Sequence, residues 1–338
     1  MGLYGHHKSL KSDDDDDESS RLVPCSDMVG TIAATRSSAW KEGTRVASIF
    51  NQDHLTGQIR EADLATGLGL PLPGVLAEYR VFPERGLVKL PEYLSDEEGA
   101  CLPIAAVTAW MSINGFQPLG KYLDYSATSS TVSDEDRKKN APPSILVQGT
   151  GGVAMAGLQI AHAAGFKTIV TSSSDGKLDR AKKLGADTLI NYRTHWEWQG
   201  LALEATNGRG ANFILETGGA RTLRKSFDSI AFGGTIACIG YVSGKGNEGG
   251  DNGDGAAGGG GGEPELNRLN VNVLALRRNV TLKGILNGPR DRFEEMLGFY
   301  EEKKIKPVVD KVFKFAEAKE AFQFLYKGEH FGKVVIKI

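Results

Sequence analysis

The residues best suited to chemistry in this sequence are glycines that follow a short apolar run. Ile145 to Val147 have the apolar character of a buried parallel strand. Gly149 and Gly151 come next, and a residue without a side chain lets the backbone turn tightly and approach a phosphate closely. From Gly152 the apolar residues recur at helical spacing as far as Gly165. The free N–H groups of such a helix would face the turn, so the pattern predicts a site for the pyrophosphate of a dinucleotide.

The residues on both sides of the glycines support this prediction. Lys167–Thr171 predicts a second strand, which completes a strand–turn–helix–strand unit. Ala154 stands where the third glycine of the dinucleotide-binding pattern is expected, and alanine is a tolerated variant there. The alternative is a tight turn in an ordinary α/β domain, which the flanking strands and helix disfavour.

Length and composition indicate a two-domain, cytoplasmic protein. The chain has 338 residues, 40% of them hydrophobic, and a net charge of −2, which gives no attraction to nucleic acid or to a membrane surface. It has no apolar run of about 18 residues, and its polar, acidic N-terminus does not resemble a signal peptide. Cys25, Cys101 and Cys238 are widely spaced, which favours a reducing compartment and disfavours a disulfide or zinc framework.

The first part of the chain predicts a small β-rich domain after a polar tail. Residues 1–20 form an acidic stretch that we expect to be disordered. Short strand-like segments follow, of which Thr44–Phe50 and Val75–Phe82 are the clearest. Ser95–Glu98 has the spacing of a capping box and begins a helical pattern that continues to Met111.

Strands and helices alternate through the rest of the chain, between two low-complexity inserts. The first insert, 121–143, predicts a surface loop, and the second, 244–262, is rich in glycine. Such alternation predicts a parallel, doubly wound sheet. The predicted elements after the second strand are a helix at Lys177–Leu184, strands at Thr188–Asn191 and Asn212–Glu216, a helix near Leu223–Ile230, strands at Thr235–Gly240 and Val280–Leu286, helices at Asp291–Lys303 and Glu317–Tyr326, and a strand at Lys333–Ile338.

Six stretches, distant from one another in the sequence, carry a resemblance to a known family. They are Val46–Gln52, Leu102–Trp110, Val147–Val153, Ala181–Asp187, Asn191–Arg193 and His330–Val335. In this order they resemble the medium-chain dehydrogenase/reductase superfamily, most closely its zinc-independent, quinone-oxidoreductase-like and fungal alcohol-dehydrogenase-like branch. The resemblance implies a GroES-like β-barrel domain, formed by 21–120 and completed by 300–338, packed against a Rossmann domain of 144–299. The first strands of that barrel are not recognisable in this sequence, so we expect an N-terminally incomplete barrel.

The resemblance also predicts that this chain holds no zinc. In zinc-dependent relatives a Gly-His-Glu string and a later cysteine belong to the catalytic metal site. The corresponding positions here hold Cys25, Ser26 and Asp27, and Ile104. A hydroxyl and an alkyl group cannot replace imidazole and thiolate as zinc ligands. Cys25 and Asp27 remain possible ligands of another metal, although a core-lining role is favoured.

The end of the second predicted strand favours NADPH over NADH. NAD-specific sites usually place a carboxylate there to bind the ribose hydroxyls. This sequence has Ser172 and Ser173, followed by Lys177, with Tyr192 after the next strand. Hydroxyls and a cation suit a 2′-phosphate. Asp175 is the counter-argument, but its position fits the N-cap of a helix. The alternative for Lys177, which is less favoured, is an ordinary solvated helix face.

By the same resemblance, further residues are expected around the nicotinamide and the substrate. Asn51, Gln52 and Thr108 are candidates for the cleft between the domains, although each could have a purely structural role. No catalytic acid or base can be named, and Tyr241 is more probable as a backbone contact than as a proton donor. The cofactor-site candidates are Thr108, Gly149, Gly151, Gly152, Val153, Ser172, Ser173, Lys177, Tyr192, Gly240, Tyr241, Leu286 and Asn287.

These observations predict a zinc-independent, NADPH-preferring oxidoreductase. It would transfer hydride to a carbonyl or an activated double bond of a small molecule: a quinone, an enone or an aldehyde. The alternatives are a catalytically silent nucleotide-binding paralogue or truncated gene product and, third, a zinc-dependent alcohol dehydrogenase. We expect no nucleic-acid or membrane partner. A homodimer is expected through the edge strand Val280–Leu286.

Overall fold

A computed structural model describes residues 22–126, 142–243 and 269–338. The predicted acidic tail, the glycine-rich insert and most of the first insert lie outside these residues. Within them, no helix is both long enough and apolar enough to cross a membrane.

The barrel side of the chain contains two small sheets. β1 (Val29–Thr31), β2 (Arg45–Ser48) and β3 (Leu87–Lys89) form an antiparallel sheet in which Ala47 lies opposite both Val29 and Val88. β10 (Val309–Lys314) and β11 (Lys333–Lys337) pair in parallel near the C-terminus. Three helices follow the first strands: α1 (Glu61–Leu64), α2 (Asp96–Gly99) and α3 (Val107–Asn114), with a π-helical turn at Leu102–Ala106 before α3.

An open groove of about 1610 Å³ lies between these sheets. It explains why the predicted strand Val75–Phe82 does not form. Val75–Phe82 is not a strand, because nothing in the described residues pairs with its backbone along its length. At its start, the backbone N–H groups of Val75 and Leu76 donate hydrogen bonds to the Pro24 carbonyl. Val81 is 94% exposed and lines the groove, so the alternating pattern has no partner strand among the described residues to bury it.

The nucleotide side is one six-stranded parallel sheet. Its strands are β4 (Ser144–Gln148), β5 (Lys167–Ser172), β6 (Thr188–Asn191), β7 (Ala211–Glu216), β8 (Ile230–Cys238) and β9 (Thr281–Gly284). They lie in the order β6-β5-β4-β7-β8-β9, with Leu146 opposite Ile169 and Ile214. This order reverses direction beside β4, as in dinucleotide-binding sheets. The doubly wound prediction is confirmed, and β9 is an edge strand.

Helices cover both faces of this sheet, and local signals set their ends. α4 starts directly after the glycine turn, and Gly165 at φ +76° follows its last turn. Ser174 caps α5 through its hydroxyl, so the N-cap is Ser174 and not Asp175, which is the first helical residue. The helices are α4 (Gly152–Ala163), α5 (Asp175–Lys183), α6 (Trp198–Ala205), α7 (Leu223–Ser229), α8 (Val271–Arg278), α9 (Arg290–Lys303) and α10 (Ala318–Tyr326).

An aromatic cluster joins the two sides. Trp110 of α3 and Phe299 of α9 have ring centroids 5.2 Å apart, and Tyr122 lies 5.4 Å from Trp110. Beside it, Lys303 and Asp124 form an ion pair at 2.9 Å with both side chains mostly buried. The first insert was expected to be a surface loop from Lys121, but residues 121–126 pack on the core. Their aromatic rings are the reason.

Candidate active site

The glycine turn presents open backbone at the carboxyl end of β4. Gly149 has φ +81°, and a Cβ built on it would meet no atom within 4 Å. Its N–H donates to the carbonyl of Thr171 at 2.8 Å, which fixes the turn against β5. Gly151 is the N-cap residue of α4, and only the His330 Nε2 atom, at 4.0 Å, comes near the position of its missing Cβ. The structure therefore leaves space next to the helix N-terminus, which is where a phosphate would bind.

The C-terminal segment lies across this turn, an arrangement that the sequence analysis did not predict. The N–H of Gly332 donates to the carbonyl of Thr150 at 2.9 Å, and Gly332 forms a β-bridge with Gly151. A Cβ on Gly152 would lie 2.6 Å from Cδ of Lys333, so the lysine stem rests on the first turn of α4. His330 and Lys333 thus join the site. Both occur in the stretch His330–Val335, whose resemblance was noted only as evidence of family.

A buried carboxylate shapes the neighbouring loop at the end of β7. Glu216 is 1% exposed and accepts hydrogen bonds at 2.9 Å from the N–H groups of Gly218 and Gly219. The Gln148 amide donates to it at 2.8 Å, and the hydroxyls of two residues of the α7 region donate as well. This network fixes the loop that follows β7. The missing Cβ of Gly240 would be 3.0 Å from the Thr217 carbonyl, so Gly240 permits the close approach of the next loop.

The end of β5 is rich in hydroxyl groups and has no free carboxylate. The Ser174 hydroxyl accepts from the backbone N–H of Lys177 at 3.4 Å. The carboxylate of Asp175 is engaged by the Asn191 side-chain amide at 2.7 Å. Ser172 and Ser173, named as cofactor candidates, lie at this edge. The Ser172 carbonyl accepts the Tyr192 N–H at 3.0 Å, so Tyr192 also lies there.

Lys177, the predicted ligand of a 2′-phosphate, points toward the C-terminal segment. Its Nζ donates to the carbonyl of Gly328 at 2.9 Å. Burial lowers the pKa of its ammonium, and the positive charge of Arg180 adds to that effect, while Asp310 and Glu329 oppose it. In the described part of the chain Lys177 forms no ion pair, so its charge is available to an anion.

Most residues predicted near the substrate and the nicotinamide are buried, and Asn51, Gln52 and Asn287 each have a side-chain oxygen without a partner among the described residues. Asn51 donates from Nδ2 to the Asp63 carbonyl at 2.8 Å, and its Oδ1 has no partner among the described residues. Asn287 has φ +134° and donates to the Pro103 carbonyl at 3.3 Å, and its Oδ1 also lacks a partner there. A buried amide oxygen without a partner is costly, so each is a candidate for contact with a ligand.

The other expected contacts differ in their surroundings. Gln52 is held by the barrel side, since its Nε2 donates to the Ile49 carbonyl at 2.6 Å. Thr108 is buried in the first turn of α3. Leu286 is 62% exposed and Tyr241 40% exposed, on the loops that follow β9 and β8. These four positions have not been tested as contacts with a ligand and stay predictions.

At the position that the resemblance assigns to zinc, Asp27 and Ser26 already have partners within the protein. Asp27 accepts the Ile104 N–H at 2.8 Å through Oδ1 and the Lys333 ammonium at 2.7 Å through Oδ2. The Ser26 hydroxyl donates to the Leu68 carbonyl at 2.6 Å. Burial, with the charge of Asp27, raises the pKa of the Cys25 thiol to about 11.

These groups do not fit a catalytic zinc. A hydroxyl, an alkyl group and a carboxylate paired with an ammonium replace the usual donor set. Across residues 22–126, 142–243 and 269–338, no group of three or more histidine, cysteine or acidic side chains is arranged to hold a metal ion. The glycine turn, by contrast, fits a nicotinamide dinucleotide, because it offers free amides, space in place of two Cβ atoms, and nearby cationic groups.

Comparison with known proteins agrees with this fold. Residues 6–92 match the family described as "Alcohol dehydrogenase GroES-like domain", and residues 152–302 match "Zinc-binding dehydrogenase". A zinc-type alcohol dehydrogenase-like protein of Schizosaccharomyces pombe is 36% identical over 94% of this chain and 82% of its own length. The chain belongs to the medium-chain dehydrogenase/reductase superfamily, with a GroES-like domain and a Rossmann-type sheet.

Two solved structures are similar over most of the chain. A crystal structure from Sinorhizobium meliloti 1021, described as an alcohol dehydrogenase, is 35% identical, with a TM-score of 0.73 and coverage of 94% of this chain and 82% of that one. A second, described as an NAD-dependent alcohol dehydrogenase, is 28% identical, with a TM-score of 0.72 and coverage of 94% and 83%. The chain is therefore a member of a family of oxidoreductases and is similar to proteins described as alcohol dehydrogenases.

Proposed function

We propose that the protein transfers hydride between NADPH and a small carbonyl compound or activated alkene without zinc. Quinones, enones and aldehydes are the substrate classes. One observation carries the proposal: an open glycine turn lies beside a former metal position at which Asp27 is already paired with Lys333. The site can therefore hold a nucleotide, but its carboxylate is not free for a cation.

The chain's own groups would bind and orient the reactants. A bound nicotinamide supplies the hydride chemistry. The amides at Gly149 and Gly151 and the start of α4 would hold the pyrophosphate. The loop fixed by Glu216 and the Gly240–Tyr241 backbone would fix the ring. Such positioning is the main contribution that a protein makes to hydride transfer.

The preference for NADPH is supported by charges at the end of β5. Asp175, the carboxylate that could bind ribose hydroxyls, is engaged by Asn191. Lys177 has no carboxylate partner in the described residues, and Ser172 and Ser173 offer hydroxyls. Such a group of donors gives a larger binding free energy with the dianionic 2′-phosphate of NADPH than with the two ribose hydroxyls of NADH. The NAD-dependent relative at 28% identity argues the other way, so direct comparison is needed.

On the substrate side, we propose that Asn51 and Asn287 contact the reactants. Both have a buried, unpaired Oδ1, and the strained backbone at Asn287 is the kind of local cost that persists at ligand sites. Thr108 and Gln52 would line the same cleft. We assign no residue as a general acid or base and propose that the proton comes from solvent.

A second candidate is a protein that binds the nucleotide but is catalytically silent. The groove beside Val75–Phe82 favours this alternative, because an open barrel leaves one wall of the substrate cleft unsupported.

We also propose a cytoplasmic homodimer that pairs through β9, the sheet edge. Sedimentation of the purified chain tests the dimer.

Steady-state kinetics of the purified full chain test the function. We expect NADPH oxidation with at least one compound in a panel of quinones, enones and aldehydes, a lower KM for NADPH than for NADH, and less than stoichiometric zinc by elemental analysis. NADPH binding without turnover across the panel would favour the silent candidate. Stoichiometric zinc with zinc-dependent turnover would overturn the metal-free proposal.

A further inference from the structure

His330 is a half-buried histidine between the glycine turn and the end of β5. Its Nε2 faces the open side of Gly151, and Gly332, two residues later, is hydrogen-bonded to Thr150. Its Nδ1 is buried and has no hydrogen-bond partner in the described residues. In that part of the chain, therefore, no hydrogen bond at Nδ1 holds the imidazole in place. It lies directly beside the space left for a phosphate.

The charged groups around His330 come from three elements. Lys177 lies on α5, Asp310 on β10 and Lys333 on β11, and each is near enough to influence the imidazole. Two of these groups already form ion pairs: Lys333 with Asp27, and Asp310 with Arg180 at 2.8 Å. Lys177 donates to a neutral carbonyl instead. The surroundings of His330 are therefore weakly cationic.

We propose that His330 is a phosphate-binding residue of the cofactor site that takes up a proton when the nucleotide binds. This inference rests on the proposed function and adds to it a residue and a pH dependence. The imidazole would act with Lys177 and Lys333 on a phosphate oxygen. That oxygen belongs either to the pyrophosphate, which NADH and NADPH share, or to the 2′-phosphate of NADPH.

The charged groups near the His330 imidazole determine whether nucleotide affinity rises or falls with pH. In the free protein burial lowers the pKa of His330, the charges of Lys177 and Lys333 lower it further, and Asp310 opposes them. The imidazole is therefore neutral near pH 7. A phosphate within hydrogen-bonding distance reverses the electrostatic balance and raises the pKa, because the anion favours the charged ring. Affinity is then highest at low pH and falls as the pH rises through the pKa of the complex.

The test is calorimetric titration of the full chain with NADPH and with NADH, in buffers of different ionisation enthalpy. We expect the wild-type protein to take up a substantial fraction of a proton near neutral pH. Its Kd should rise roughly tenfold between about pH 6 and pH 8. Proton uptake with NADPH alone would assign the 2′-phosphate as the partner. Uptake with both nucleotides would assign the pyrophosphate.

Two variants make the assignment specific. His330→Gln keeps a hydrogen-bond donor but cannot be charged, so proton uptake should disappear and the pH profile should flatten. His162→Gln, at the far end of α4, should behave as wild type. Saturable binding without proton uptake by the wild-type chain, or uptake unchanged in His330→Gln, would overturn the inference and leave the proposed function intact. No saturable binding of either nucleotide would overturn both.

Discussion

The nucleotide side and the barrel side of this molecule satisfy their buried polar groups to different degrees. In the six-stranded sheet, Glu216 is surrounded by donors, and Gln148 links it to the next strand. On the barrel side, Ser48, Asn51, Gln52 and His54 each have a buried polar atom without a partner in the described residues. Between residues 144 and 284, the only such atom among the described residues belongs to Gln199.

On the nucleotide side, the buried polar groups around the proposed binding surface are already hydrogen-bonded. On the barrel side, several of them have no partner among the described residues. A parallel sheet with helices on both faces closes its own hydrogen bonds, so the glycine turn is rigid before any nucleotide arrives. The barrel side leaves a groove and unpaired oxygens, which only additional groups can satisfy. The cofactor half is therefore largely preformed, whereas the substrate half has room to change.

The largest effect is expected from removing the Glu216 carboxylate. Glu216→Ala leaves two loop N–H groups and the Gln148 amide without their acceptor, so the free energy of unfolding should fall by about 3 kcal/mol. Glu204→Ala, on the exposed face of α6, should change it by less than about 0.5 kcal/mol. Urea unfolding followed by circular dichroism measures both. Equal midpoints for the two variants would show that the buried network does not stabilise the sheet.

A methyl group at Gly151 should separate folding from nucleotide binding. Its φ of −80° suits alanine, and only His330 lies near the added Cβ, so Gly151→Ala should unfold as wild type does. The methyl group would occupy the space of the phosphate, and NADPH should bind about tenfold more weakly or worse. Gly200→Ala, where a Cβ meets no atom within 4 Å, is the matched control. Fluorescence titration measures the affinity of each variant for NADPH. If Gly151→Ala binds NADPH as tightly as wild type, the phosphate does not bind at this glycine.

The ion pair between Asp27 and Lys333 should contribute modestly to stability. Asp27→Asn keeps an acceptor for the Ile104 N–H but leaves Lys333 unpaired, and because both side chains are partly solvated we expect a loss of about 1 kcal/mol. Asp228→Asn breaks the more exposed Arg224 pair on the nucleotide side and should cost less. Thermal unfolding compares the two variants. A more stable Asp27→Asn protein would contradict a stabilising role for the pair.

The smallest effect is expected in the unpaired segment beside the groove. Val81→Lys changes a residue that is 94% exposed, so the free energy of unfolding should stay within about 0.5 kcal/mol of wild type. Light scattering should show less self-association, because a charge replaces apolar surface. A loss above about 2 kcal/mol would mean that Val81 is buried in solution, as in a closed barrel.

Local sequence rules predicted the nucleotide side well. The signals there are local: each depends on residues within about 20 positions of one another. They are the apolar run before Gly149, the glycine that ends α4 and the alternation of strands and helices up to β9. The capping box at Ser95–Glu98 was confirmed for the same reason. Asp175 was assigned wrongly as an N-cap because adjacent serine and aspartate both suit that position, and only geometry decides between them.

The barrel side was less predictable because its structure depends on distant pairing. Val75–Phe82 alternates like a strand, but a strand needs a partner, and no rule within the segment reveals whether one is present. His330 and Lys333 were missed as site residues for a related reason. They are separated from Gly151 by about 180 residues, and only the return of the C-terminal segment brings them to the turn. The resemblance located the family but not that contact.

The most direct test of the central claim is equilibrium binding of NADPH to the full chain after exhaustive treatment with a metal chelator. If the glycine turn and its cationic neighbours hold the nucleotide without zinc, binding should be saturable, with a Kd equal to that of the untreated protein. Absence of saturable binding by folded protein, or binding that returns only when zinc is added back, would contradict the claim.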